Sequence, residues 1–338
     1  MPSARIALDV MGGDKAPDAI VRGALLAVSP KSRQPLPVER ILLVGDEALV
    51  RAKLAEFGGD PGFAIRHATQ VIGMAESPAQ ALRAKPDSTI VSMTLACKQG
   101  EAGAAVSMGN TGAVVGAATL MLGTLPGVKR PGIAVTTALT GKPLTVIDMG
   151  ANIAPKAEHL VQYGVMGSIY ARDCLGQEGA RVALLNIGEE EGKGTDLHKE
   201  AYKLLQAAPI EFVGNLEGNE LLSGKAEVLI TDGFTGNVML KLMEDLAGFM
   251  VKLTLKELAQ HGVQAPAQAL ANIKKSIDYS EYGGAPLLGV NGVVIIGHGR
   301  SDENAVANAL IQAARALDAG MNEDIVAGLQ NPGSGAGA

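Results

Sequence analysis

The sequence predicts an α/β fold built on a largely parallel sheet. Strand-length apolar runs alternate with helix-length segments along the whole chain, and short glycine-rich turns join each strand to the next helix. A polar residue recurs where a strand should end: Asp9, Asn110, Asp148, Asn186 and Asp232. Parallel sheets bind their ligands at such carboxyl ends.

Ile6–Asp9 reads as the first strand. The turn Val10–Pro17 follows, carrying Gly12, Gly13 and Asp14, and then a helix from Asp18 to Val28. A Gly-Gly turn with two aspartates suits a binding loop, or a plain strand–helix turn capped by Asp14. Strands are predicted at 40–46 and 63–67, with a helix at 48–57 between them. Helices follow over 76–85 and 88–99. Cys97 lies on the apolar side of the second and reads as a packing residue.

The central stretch is Ser107-Met108-Gly109-Asn110-Thr111-Gly112-Ala113. An apolar run enters it and a longer one leaves it, the outline of strand, turn and helix. Gly109 and Gly112 let the backbone turn tightly and let another molecule come close. Asn110 and Thr111 suit a helix cap, and free amides at a helix start bind anions. The expectation is a phosphate cradle.

Two β-rich runs, 133–139 and 144–148, form a hairpin or neighbouring strands. The second delivers Asp148, Gly150 and Asn152, then a helix over 157–175 that carries Cys174. A strand over 181–188 ends at Asn186 and opens into the loop 189–196. Lys193 lies there between two glycines, a placement that presents a cation to phosphate. Strands at 209–213 and 226–232 follow, the latter ending in Asp232-Gly233-Phe234-Thr235-Gly236-Asn237. The helix 238–258 places Leu242, Leu246, Phe249, Met250 and Leu253 along one face, with Val251, Leu255 and Leu258 beside it. Core packing, a dimer seam or a lipid-facing surface flanked by Lys252, Lys256, Lys274 and Lys275 would each use such a face. Residues 278–290, with Gly283 and Gly284, form a glycine-rich approach to a strand at 293–296. His298 then sits between glycines, and a final helix covers 303–320. The Gly/Ser/Ala tail from Asn331 reads as disordered. Residues 1–330 read as a single domain, or two closely joined lobes, with a helical protrusion near 238–275.

Composition narrows the function. Aromatic residues make up 3%, Trp is absent and the net charge is -6, which argues against a nucleic-acid binder. The two cysteines form no metal-ligand spacing, and no metal or cofactor is expected. The first strand begins within a few residues of Met1, leaving no room for a signal peptide. No apolar run reaches spanning length, so a cytoplasmic protein, at most lying on a membrane, is expected. GxSxG, GxGxxG after the first strand and GxxxxGK[ST] are all missing. Small ligands with several anionic oxygens remain.

The motifs DVMGGDKAP, SMGNTGA, IDMGANI, ITDGFTGNVMLK and YGGAPLLGVNG with GHGRSD resemble the phosphate acyltransferases of the PlsX family. They occur in order from Ile6 to about Leu317. The resemblance implies a homodimeric three-layer α/β/α fold like that of isocitrate and isopropylmalate dehydrogenases. It implies transfer of a long-chain acyl group from acyl carrier protein to inorganic phosphate, the first step of phosphatidic acid synthesis. The acyl phosphate product then passes to a membrane glycerol-3-phosphate acyltransferase, and the enzyme associates peripherally with the inner face of the cell membrane. Val10 stands where many members of the family have alanine, Lys15 occupies a position that varies within it, and 259–271 looks shorter than in some relatives.

On that reading phosphate is the nucleophile. Ser107, Gly109, Asn110, Thr111 and Gly112 would hold it, and Lys156 or Lys193 would neutralise it. Asn152 or Asn237 would stabilise the oxyanion, Asp148 or Asp232 would orient phosphate or accept its proton, and His298 would protonate the leaving thiolate. Asp9, Gly12, Gly13, Asn186, Gly233, Gly283 and Gly284 would complete the cleft. Leu246, Phe249, Leu255 and Leu258 would meet the acyl chain or membrane, and a Lys/Arg patch would dock the acidic carrier protein. The alternatives are a short-chain enzyme using coenzyme A and a non-enzymatic membrane scaffold. A dehydrogenase is disfavoured by the missing dinucleotide fingerprint.

Overall fold

The computed structural model describes residues 4–137, 141–263, 266 and 283–330. Lys274, Lys275, residues 278–282 and the tail from Asn331 lie outside them. The strands are β1 (Ile6–Asp9), β2 (Ile41–Gly45), β3 (Ala64–His67), β4 (Ala104–Ser107), β5 (Gly132–Thr137) and β6 (Leu144–Ile147). They continue as β7 (Arg181–Asn186), β8 (Glu211–Glu217), β9 (Val228–Ile230), β10 (Ala285–Leu288) and β11 (Val293–Ile296). All eleven join one sheet in the order β3-β2-β1-β4-β11-β10-β5-β6-β9-β7-β8.

The sheet is parallel in two blocks. β3, β2, β1, β4 and β11 run together, and β6, β9, β7 and β8 run together. Between them β10 pairs antiparallel with β11 and with β5, and β5 pairs antiparallel with β6. Three reversals leave the second block running opposite to the first. The expected strand ends therefore do not all share one parallel rim.

β10 was hidden in sequence by its glycine punctuation and by Pro286, which cannot donate to a ladder. It nevertheless stands mid-sheet. Its approach glycines pack rather than line a cleft: a Cβ on Gly283 would lie 2.5 Å from the Asn308 carbonyl oxygen, and one on Gly284 2.9 Å from that of Ile296. Both have positive φ, 96° and 115°, which favours glycine. The final helical stretch is also longer than expected, with Glu303–Asp318 followed by a separate helix Met321–Gln330.

Side-chain alternation along the strands builds two cores. Ile6, Leu8, Ile41, Leu43, Ala104 and Val106 face one way, while Ala7, Leu42, Val44 and Ala105 face the other. On the first side lie α1 (Asp18–Val28), α2 (Glu47–Glu56), α6 (Ala157–Leu175), α7 (Asp196–Gln206) and the two C-terminal helices. On the second lie α3 (Pro78–Ala84), α4 (Thr89–Lys98), α5 (Thr111–Ala117) and the start of α8 (Gly233–Gln260). This is a three-layer α/β/α arrangement. With both faces covered, most strands read as unbroken apolar runs.

The helices that cover β1 and β4 pack closely. A Cβ on Gly23 in α1 would lie 2.4 Å from Cβ of Val306. Gly23→Ala should therefore destabilise the fold by about 1–3 kcal/mol, although alanine is the better helix former. Urea unfolding measures this, and a gain in stability would refute the close packing.

Candidate functional site

The site residues fall into two groups, one at the strand ends of each block. In the first, β1 and β4 end side by side. The Ser107 hydroxyl donates to Asp9 Oδ2 at 2.7 Å and accepts the Gly109 amide at 3.0 Å. Asp9 Oδ1 accepts the Met11 amide at 3.0 Å. Both side chains are buried. Burial pushes the Asp9 carboxyl above its ordinary 3.8, while hydrogen bonds from Ser107, Thr89, Met11 and Gly12 pull it back. The two turns touch: a Cβ on Gly12 would lie 2.6 Å from Asp9 Oδ2 and 2.8 Å from the Gly109 nitrogen.

Asn110 caps α5 by accepting the Ala113 amide at 3.0 Å. Its Nδ2 faces the carbonyls of Gly73, Met74 and Glu76 at 3.2, 3.2 and 3.0 Å. The side chain thus serves as cap and clamp at the turn expected to hold phosphate. The amides of Thr111 and Gly112 precede the first intrahelical bond, from Val114 to the Asn110 carbonyl, and both residues are exposed. α5 continues without a break as a π-helical turn over Ala118–Leu122.

The turn after β11 closes this group. The Gly299 carbonyl accepts the Asp14 amide at 2.7 Å, and the Gly13 Cβ position lies 3.1 Å from the same oxygen. His298 Nδ1 accepts the Arg300 amide at 3.0 Å. A neutral His298 ring so held carries its proton on Nε2. The adjoining loops also bring two exposed cations, Lys15 and Arg300. The sequence reading passed over both as site residues. Arg300 lay within a motif read for its histidine, and Lys15 in one read for its aspartates.

The second group surrounds the ends of β6, β7 and β9. Asp148 is fully buried. Its Oδ1 accepts the amides of Ile133, Gly150 and Ala151 at 3.0, 3.0 and 2.9 Å, and its Oδ2 accepts that of Asn152 at 2.6 Å. Burial raises its pKa while these four amides oppose the rise. Asn152 spends its Nδ2 on the Pro131 carbonyl and the Tyr163 hydroxyl, at 2.6 and 2.7 Å. Its own carbonyl accepts the Gly233 amide at 2.9 Å. Asp148 and Asn152 therefore organise a turn through these contacts. Gly233 is part of the same scaffold, since a Cβ there would lie 2.8 Å from Asp148 Oδ2.

Asp232 caps α8, accepting the amides of Phe234 and Thr235 at 3.0 and 2.9 Å and the Thr235 hydroxyl at 2.7 Å. Asn237 reaches the Met149 carbonyl at 3.4 Å. Asn186 donates to the Lys193 carbonyl at 3.2 Å and so closes the loop after β7. Lys193 lies 3.7 Å from Glu190, and Lys156 is exposed at the start of α6. Both lysines stand on loops that follow strands of the second block, β6 and β7. His198 joins this group without having been singled out in sequence. Its Nδ1 lies 2.8 Å from the Thr195 hydroxyl. Burial lowers its pKa and the nearby Asp232 raises it.

Burial pushes both cysteine thiols up to about 12, which disfavours the reactive thiolate. Among the described residues no cluster of three His, Cys, Asp or Glu is placed to hold a metal.

Asp148→Ala would leave the buried amide of Ile133 and the part-buried amides of Gly150, Ala151 and Asn152 without their acceptor. Stability should fall by about 2–4 kcal/mol, about 1–3 kcal/mol from the buried donor and less from each donor that water can reach. Chemical denaturation checks this, and a loss under about 1 kcal/mol would refute the scaffold role.

A sequence profile described as fatty acid synthesis protein matches residues 4–324. A phosphate acyltransferase of Desulfitobacterium hafniense is 46% identical over 328 residues, covering 95% of this chain and 96% of that protein. One from Pelotomaculum thermopropionicum is 46% identical over 333 residues, covering 97% and 95%. A solved phosphotransacetylase from Streptococcus pyogenes superposes with a TM-score of 0.62 at 18% identity, covering 93% of this chain and 94% of that one, which establishes likeness of fold. With a matching profile and close relatives along nearly its whole length, the chain belongs to the fatty acid synthesis protein family, the PlsX-type phosphate acyltransferases.

Proposed function

We propose that the protein transfers a long-chain acyl group from the thioester of acyl carrier protein to inorganic phosphate, forming acyl phosphate for phospholipid synthesis. The observation that carries this reading is the near full-length match to phosphate acyltransferases. The chemistry asks little of side-chain nucleophiles. A phosphate oxygen attacks the thioester carbonyl, a tetrahedral oxyanion forms, the C–S bond breaks and the thiolate takes a proton. The protein supplies position and charge.

The first group of residues supports this assignment. The open Thr111 and Gly112 amides, with Lys15 and Arg300 on adjoining loops, suit a phosphate dianion. His298, oriented by the Arg300 amide on its Nδ1, is the group assigned to protonate the departing sulfur. Ser107 is engaged with Asp9 and acts by holding the turn.

Long-chain chemistry also needs an apolar surface. On α8, Val238, Leu242, Leu246, Phe249 and Leu253 form one exposed stripe. At about 100° per residue, Leu255 and Leu258 fall on the opposite side, and both are half-buried. The stripe rather than all four expected residues is therefore the membrane- or acyl-contact candidate. Among the described residues no helix is long and apolar enough to cross a membrane. A peripheral dimer on the inner face of the membrane, docked by the acidic carrier protein and passing its product to a glycerol-3-phosphate acyltransferase, fits this reading.

The test supplies phosphate with palmitoyl carrier protein or acetyl-coenzyme A and traps acyl phosphate with hydroxylamine. Product from the palmitoyl donor is expected, and product only from acetyl-coenzyme A would favour a short-chain enzyme. In the same assay Arg300→Gln should raise the phosphate KM about ten- to a hundredfold, the worth of one charge-assisted contact. An unchanged KM would remove Arg300 from the phosphate site. Separately, the double variant Leu246→Asp and Phe249→Asp should lose binding to anionic liposomes in flotation, and full retention would assign the stripe to another contact.

A further inference from the structure

We propose that Met74 is the acyl-chain contact nearest the reacting carbonyl, and that its loop tunes chain-length preference. This rests on the reading of the site as a phosphate acyltransferase centre. The loop between β3 and α3 roofs the first group of residues. Its backbone is tethered at several points. Asn110 Nδ2 faces three of its carbonyls. Glu76 accepts the Gly73 amide at 2.6 Å and the Lys85 ammonium at 2.5 Å, and Lys85 also donates to the Val71 carbonyl at 2.7 Å. Thr69 is held to Asp87 through its amide, at 2.9 Å.

Against this tethering, Met74 is left 44% exposed. It lies over Gly299, where a Cβ would be 2.8 Å from Met74 Cε. Gly299 stands between His298 and Arg300, and its carbonyl holds the Gly13–Asp14 turn. An exposed, unbranched and polarisable side chain on a fixed backbone is therefore set at the edge of a polar, cation-bearing turn cluster. That pairing suits an amphiphile, with an anionic or thioester head at the turns and an aliphatic chain against the thioether. Asn110 couples the two parts physically, because one amide caps the helix of the anion turn and clamps the loop that carries Met74.

The experiment compares the wild type with Met74→Ser and Met74→Leu. The first readout is the kcat/KM ratio for palmitoyl over butyryl carrier protein. Met74→Ser should lower that ratio about tenfold, from lost apolar contact, and Met74→Leu should restore most of it. The second readout needs no turnover: calorimetric binding of decylphosphonate against methylphosphonate. Met74→Ser should weaken the former about tenfold more than the latter. An unchanged ratio in both readouts, or equal losses for long and short ligands, overturns the proposal. If wild-type protein makes no acyl phosphate while decylphosphonate binding still depends on Met74, the reaction assignment falls and the apolar subsite stands. Thermal melts of each variant exclude unfolding as the cause.

Discussion

The candidate centre depends on one buried hydrogen bond, from Ser107 to Asp9, that joins residues 98 positions apart. It locks the ends of two neighbouring strands together. Ser107 then has a lone pair to fix the Gly109 amide, and Asp9 has an oxygen to fix that of Met11. Two glycine turns that would otherwise be flexible become one rigid surface, close enough that no Cβ fits at Gly12. The amides of Thr111 and Gly112 stand just beyond it, ahead of the first intrahelical bond and on exposed residues. Preorganised donors of this kind need not reorganise as charge develops.

The same device recurs around Asp148. Each block of the sheet delivers a fully buried carboxylate to a strand end, and each carboxylate is spent on local donors. Desolvation favours the neutral form of such a group and amide donors favour the charged one. This opposition lets a buried acid persist as a structural acceptor. A carboxylate bound by four amides holds a turn in place and has little capacity left for moving protons. Asp9 and Asp148, both acids at strand ends, are in this way engaged in holding turns, with Lys15 and Arg300 exposed on loops of the first group.

Much of this was legible in the residues. Strand and helix positions followed from apolar runs and caps, and the order of binding turns followed from glycine and asparagine spacing. Asp232 caps its helix and Asn110 caps α5 as their residue types suggest. Other features left no local trace. Asn110 reaches a loop more than thirty residues away, and nothing in the pattern of residues 70–77 marks it as the roof of a site. His198 entered the second group only through its electrostatic interaction with Asp232, a residue far along the chain from it.

By itself the sequence determined the α/β class, the family, and the set of turns that carry polar chemistry. Those properties arise from short-range periodicity and from motifs whose residues are contiguous. Only the tertiary structure decided which turns share a site. Three antiparallel pairings at the centre of the sheet reverse the second block, so turns with the same local signature separate into two groups. Strand direction is set by long-range pairing between segments, β10 with β5 and β11, whose register no local pattern encodes. For the same reason Lys156 and Lys193 stand on loops of the second block, while Arg300 follows β11 in the first and Met74 packs over Gly299.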